Sequence, residues 1–423
     1  MRFLFISILS FLCTSAFSQS WKAIPAQEEA QKRHENSFIQ VGKKFLLIGG
    51  RGEKQIDIYH TETQKWSKGA KPPLEIHHSQ AVSLDGLVYI MGAFTGNWPD
   101  ENPVDMVLIY DPLENLWIEG PEIPADRRRG AAGVAIKDKK IYMVNGIING
   151  HQSGWVNWFD EFDPYKNTWT KLPDSPHKRD HFQAIITADL LFVAGGRKSG
   201  SEKSSGFAGT VAPADIYNFE DKKWISVAEI PTPRAGTSIG LINSNPVIIG
   251  GESDSQENAH QEVEIFNLEK GTWKALPEMI QGRHGTQAIT LNEQILIGAG
   301  SGKRGGGPEL NSFEIYTKDN RLNFSTESVL AGELRTSEEN LNFSKGGTKS
   351  LKISNRGGNQ AIVITEISIS EGFQTLNKRK LPFILAPRSD FELKIQGKLQ
   401  PGELRVKSAG KTEPLIVKLN KKE

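Results

Sequence analysis

The chain has 423 residues, of which 51 are basic and 50 acidic, and a single cysteine. That balance excludes whole-molecule attraction to nucleic acid or to an acidic surface. No transmembrane segment is expected, and the length leaves room for two or three domains.

In chain order, Arg2 comes first, then an apolar run over 3–12, then small residues around Ala16 and Ser18. This order predicts a secretory signal peptide over 1–18, too short for a membrane span, and hence export to the periplasm, the cell surface or the medium. Cys13 falls inside it, so the exported chain would carry neither thiol nor disulfide. Lipid anchoring at Cys13 would call for a small residue before it, where Leu12 stands.

The unit that repeats is 33–66. It opens on Arg33-His34, passes an apolar run over 45–48 that ends at Gly49-Gly50, and closes on a third run, 56–59, and Trp66. Runs of strand length between turn residues predict a β-meander. The glycine pair or a substitute returns at Gly92-Ala93, Asn145-Gly146, Gly195-Gly196, Gly250-Gly251 and Ala299-Gly300. Trp66 returns as Trp117, Trp169, Trp224 and Trp273, at intervals of 49 to 55 residues. Four short strands, a Gly-Gly and a Trp every 50 residues or so resemble the Kelch repeat. The resemblance implies an all-β fold, a six-bladed Kelch β-propeller over 19–318. The sixth copy ends on Ile315-Tyr316 without a tryptophan, and Trp21 has no copy of its own. The Trp21 strand is therefore expected to complete the sixth blade and close the ring.

From Leu322 onward the chain turns basic, with 17 basic and 11 acidic residues. A linker is expected over 319–338, and short alternating strands over 339–423 suggest a β-sandwich. The stretch SLKISNRGGNQAIVITEISIS and the later Ala386-Pro387 resemble immunoglobulin-like domains, some of them bacterial and extracellular. This domain is read as a spacer or as a module for a cell-surface or protein partner.

Antiparallel order puts the loop leading into strand one and the loop between strands two and three on the same face of a blade. Arg33, Arg129, Arg179, Arg234 and Arg283 each stand 17 residues before the second member of their glycine pair. The second copy has Ile76 there, followed by His77-His78. His34, His181 and His284 also lie in leading loops, and His151 lies in a second-to-third-strand loop. The long loops of that face add Trp98, Asp100, Glu101, Trp155, Trp158, Arg197, Phe207, Glu252, Arg304 and Glu309. Each arginine alone could be a tie for loop carbonyls. As a set beside the histidines, they are read as a ring that clamps carboxylate or sulfate, with indoles for sugar faces.

The expected ligand site is then Arg33, His34, His77, His78, Arg129, His151, Trp155, Arg179, His181, Arg197, Arg234, Glu252, Arg283, His284 and Arg304. The expected function is a secreted propeller that binds an anionic carbohydrate or an acidic peptide in a cup on this face. The alternative follows from a similarity of architecture to the sialic acid mutarotases, which are periplasmic six-bladed Kelch propellers. It is a sugar mutarotase or epimerase using Glu35, Asp180, Glu252 or Glu309 with His34, His181 or His284. No cofactor is expected. No metal is expected either, because adjacent His77 and His78 would diverge on a strand and no fixed ligand spacing occurs. Copper chemistry of the galactose oxidase kind needs a cysteine that the exported chain lacks.

Overall fold

The structure, a computed structural model, describes residues 19–24, 30–200, 206–317, 327–344, 347–397 and 400–421. The signal peptide read over 1–18 lies outside the described residues.

Six four-stranded antiparallel sheets make up the first three quarters of the chain. Blade 1 is Asn36–Val41, Lys44–Gly49, Asp57–His60 and Lys65–Lys68; blade 2 is Val82–Leu84, Leu87–Ile90, Met106–Asp111 and Leu116–Glu122. Blade 3 is Gly133–Lys137, Lys140–Val144, Phe159–Asp163 and Thr168–Leu172; blade 4 is Ala184–Thr187, Leu190–Val193, Ala214–Asn218 and Lys223–Val227. Blade 5 is Ser238–Ile242, Asn245–Ile249, Val263–Asn267 and Thr272–Leu276. Blade 6 takes Ala288–Leu291, Gln294–Gly298 and Phe313–Thr317 from one end of the propeller and Ser20–Ala23 from the other. The first strand of each blade packs beside that of the next, and blade 6 beside blade 1, so the ring is closed. The second strands are buried on both faces, which is why they read as continuous apolar runs.

Each tryptophan pairs directly across from an aromatic of the third strand: Tyr59 with Trp66, Tyr110 with Trp117, Phe162 with Trp169, Tyr217 with Trp224 and Phe266 with Trp273. Trp21 pairs in the same way with Tyr316, and its indole N–H donates to the Pro277 carbonyl at 2.9 Å. The ring thus joins through a cross-strand aromatic pair of the kind every other blade uses.

The C-terminal part is a sandwich of two sheets. One runs Gly332–Thr336, Thr348–Gly357, Asp390–Gly397, Phe373–Thr375; the other runs Asn340–Phe343, Leu415–Lys421, Gly402–Ser408, Ile362–Ile369, Phe383–Leu385. Leu351, Ile353, Ile364, Leu393, Val406 and Val417 are among its own buried core. One boundary needs correction. The stretch 319–338, expected to be a linker, contains the edge strand Gly332–Thr336, which pairs along its whole length with Thr348–Gly357.

The sandwich also docks on the propeller. Ala361, Val363 and Ile384 join the core between blades 2 and 3. The Ala361 N–H donates to the Asp85 carbonyl at 2.8 Å, Gln360 donates to Asp111 at 2.8 Å, and Lys411 pairs with Glu114 at 2.6 Å. Gly86 shows how close the approach is: a Cβ there would lie 2.7 Å from Val329 Cγ1. These contacts fall on turns between strands one and two or three and four. The sandwich therefore covers the face opposite the leading loops.

Candidate functional site

The five register-sharing arginines are not in a cup. They are 0–1% exposed, and each donates to the carbonyl of the first residue of its own glycine pair: Gly49, Asn145, Gly195, Gly250 and Ala299. Each also meets a carboxylate on the third strand. Arg33 pairs with Asp57, Arg129 with Asp160 at 2.7 Å, Arg179 with Asp215 at 2.8 Å, Arg234 with Glu264 at 2.5 Å and Arg283 with Glu314 at 2.6 Å. The shared register exists because one side chain must span from the leading loop to that carbonyl. These guanidinium groups are spent on carbonyls and a carboxylate of their own blade; the two donors left over, Arg179 Nε and Arg283 Nε, are buried, and none of the five lines the cup. The expected arginine ring is corrected: these are struts within blades. The sequence carries a second signal for them. The carboxylates stand two residues before the third-strand aromatic in the same five blades, whereas blade 2 pairs Ile76 with Leu108 in one apolar cluster.

The residues that do line a cup begin two positions after the struts. There the backbone turns into the left-handed region in every blade: Glu35 (φ 56), His78 (φ 55), Ala131 (φ 50), His181 (φ 55), Gly236 (φ 63) and Gly285 (φ 64). Together these six line the neck of the central channel. Glycine takes this conformation freely; a side chain held there costs about 1 kcal/mol or more. Blades 1, 2 and 4 nevertheless place titratable side chains in it. Below the neck, Gln80, Gln183 and Gln287 close the channel. Each comes from an alternate blade, and its amide bridges backbone groups of blades further round: Gln80 with Val134 and Ala184, Gln183 with Ile239 and Thr286, Gln287 with Ala81. The site is thus a blind cup.

Above the neck the cup has a volume of about 910 Å³. His34, His78, His151, Arg197, Glu252 and His284 line it, together with Glu35, Arg51, Trp98, Ser199 and Phe207. His181 lies just beneath, in the neck. His77 is fully buried behind His78, with 2.6 Å between their Nδ1 atoms. The adjacent rings do not diverge, because His78 sits in a left-handed turn rather than on a strand. Trp155 is also behind the wall, its indole N–H donating to the Ser199 carbonyl at 2.7 Å. Arg304 lies at the rim, 5.6 Å over the Phe207 ring, and donates to the Asp254 carbonyl.

The charges inside are largely spoken for. Arg197 pairs with Glu252 at 2.6 Å and Arg51 with Glu101 at 2.6 Å. Burial alone would raise the Glu252 carboxyl, but His284, Arg197 and the Gly305 N–H hold it down at about 2. Glu101, despite burial, is held at about 2 by His151 and Arg51. Burial and the neighbouring His181 push His151 down to about 4, and burial with three histidine neighbours pushes His78 well down too. At neutral pH His78 and His151 are therefore neutral imidazoles beside carboxylates. The floor offers acceptors, not the positive field that the arginine ring would have made. Sequence reasoning missed Arg51, Ser199 and the glutamine closure; the glutamines stand four residues after the strut register in blades 2, 4 and 6.

No family model matches the chain. It is 27% identical over 287 residues to "Kelch-like protein terF" of Aspergillus terreus, covering 63% of this chain and 61% of that one. It is 24% identical over 261 residues to "Kelch-like protein 25" of Xenopus tropicalis, covering 58% and 42%. The chain thus spans less than two thirds of the length of these curated relatives. Among solved structures, "Structure of YjhT" matches with a TM-score of 0.60 at 16% identity, over 70% of this chain and 98% of that one. At that identity the likeness concerns the fold alone. Blade pattern and comparisons together give the fold before the sandwich: a Kelch-type β-propeller.

Proposed function

We propose that this chain is an exported six-bladed Kelch propeller, carrying an immunoglobulin-like sandwich, that binds a carbohydrate in the blind cup. The observation that supports this is the combination of an acceptor-rich floor with an indole at the rim: Trp98 is 67% exposed beside a cavity of about 910 Å³. Sugar hydroxyls bring donors to match these acceptors, and a sugar face stacks on an aromatic ring. The anionic preference loses its reason once the arginine ring is buried, so neutral or amino sugars are the favoured class. Calorimetry against neutral, amino, uronic and sialic sugars tests this. Trp98→Ala should weaken the best ligand about tenfold or more without changing the melt, as removal of an aromatic anchor does. Exclusive binding of uronic or sialic sugars, or indifference to Trp98→Ala, would refute it.

A second reading keeps the same cup and makes it a mutarotase or epimerase. Glu35 favours it, because this carboxylate lies 3.3 Å from His78 Nε2 and 3.9 Å from His284 Nδ1, a pairing suited to moving a proton at a ring hydroxyl. Anomer exchange followed by NMR, with and without Glu35→Gln, separates catalyst from binder.

A further inference from the structure

The proton positions on the cup floor follow from the partners of each ring. His181 Nδ1 lies 2.5 Å from Asp180 Oδ1, and His151 Nδ1 lies 2.9 Å from Glu101 Oε2. A carboxylate accepts, so both Nδ1 atoms carry a proton, and in the neutral rings both Nε2 atoms carry a lone pair. Those two Nε2 atoms face each other at 2.9 Å. His77 Nε2 lies 3.0 Å from the Gly96 carbonyl and must donate to it, so His77 Nδ1 accepts, and His78 Nδ1 donates to it across 2.6 Å. His78 Nε2 is then a third lone pair, and the group 3.3 Å in front of it is the Glu35 carboxylate, another acceptor. Among the described residues, three imidazole lone pairs and a carboxylate thus converge. The candidate ligand atoms of His78, His151 and His181 all lie within 4.8 Å of one another.

We propose that His78, His151 and His181 bind a divalent first-row transition metal ion through Nε2, with the Glu35 carboxylate as fourth ligand. Two nitrogens each about 2.0–2.1 Å from one ion at cis or tetrahedral angles are about 2.9–3.4 Å apart, which the His151–His181 contact matches. The surroundings have the layout of a metal site's outer shell. Asp180 orients His181 and is itself held by the Ser199 N–H at 3.0 Å and the Ser199 hydroxyl at 2.6 Å. Glu101 orients His151 and is held by Arg51 at 2.6 Å. Imidazole nitrogens with one carboxylate suit zinc, iron, nickel or copper rather than magnesium or calcium. His78, His151 and Glu35 line the cup as well, so the ion's remaining coordination positions face the cavity, where a ligand oxygen would reach it. This inference departs from the expectation of no metal, and it does not depend on the cup's ligand being a sugar.

The test uses the full chain, without a polyhistidine tag, stripped with a chelator and titrated with zinc by calorimetry and with cobalt by visible absorption. One ion per chain is expected, with a cobalt spectrum of nitrogen ligation. His151→Gln should weaken binding at least about tenfold, the loss typical when a metal site loses a supporting group. His151 is on a loop, so its replacement leaves the blades intact. His60→Gln, on the opposite face, should change nothing. If the folded wild-type chain binds neither ion, or if His151→Gln binds as tightly as wild type, the proposal fails.

Discussion

The struts and the floor residues stand two positions apart in the same loop, yet they do opposite things. A strut arginine is fully buried, and its energy lies in closing carbonyls and a carboxylate that would otherwise be unpaired. Removing only one partner leaves a buried charge alone. Arg234→Ala should therefore lower the stability to denaturant by about 3–5 kcal/mol. Replacing both partners, as Arg234→Ile with Glu264→Leu, copies the apolar Ile76 and Leu108 pair of blade 2. That double variant should lie within about 1 kcal/mol of wild type, since well-packed apolar groups replace buried ion pairs with little loss. Equal destabilisation by the single and double changes, read from urea melts, would show that the carbonyl contacts rather than the ion pair dominate.

At the scale of the element, the strand Ser20–Ala23 deserves comparison with the outer strands of the other blades. It pairs residue for residue with Phe313–Thr317, and Trp21 is 6% exposed against Ile249, Val263 and Met279 in the core shared with blade 5. Without it, Phe313–Thr317 would be an open edge and the ring would be held only by blade-to-blade packing. Trp21→Ala should cost about 3–5 kcal/mol, as large aromatic deletions from cores do. Deleting 20–24 should lower the melting temperature further than Trp21→Ala alone. A deletion that melts like the point variant would mean that the indole, and not the strand pairing, carries the closure.

At the scale of the molecule, two cores meet. The sandwich has an apolar core of its own, but Ala361, Val363 and Ile384 are buried in the propeller's cluster. Residues 327–423 alone should therefore fold cooperatively and melt below the temperature at which they unfold in the full chain. Val363→Asp should uncouple the domains: one transition in wild-type calorimetry should become two. A single transition at unchanged temperature would show that docking contributes nothing. Because the sandwich sits opposite the cup, Val363→Asp should leave ligand and metal binding at the leading-loop face intact.

The sequence by itself determined what repeats within a blade. Strand period, the glycine pair and the tryptophan are local, so the repeated β-meander was legible from spacing, and its resemblance to the Kelch repeat implied the propeller. The strut register was equally legible as a pattern. Its meaning was misread because the matching carboxylates, two residues before each third-strand aromatic, were not read alongside it. Only the tertiary structure decided the site. His78, His151 and His181 come from blades 2, 3 and 4, with no fixed spacing, and their rings meet because of how blades are placed around the ring and because His78 and His181 turn through positive φ. Register within a blade follows from hydrogen bonds between neighbouring strands. Convergence across blades follows from ring closure and from loops whose course no strand period encodes.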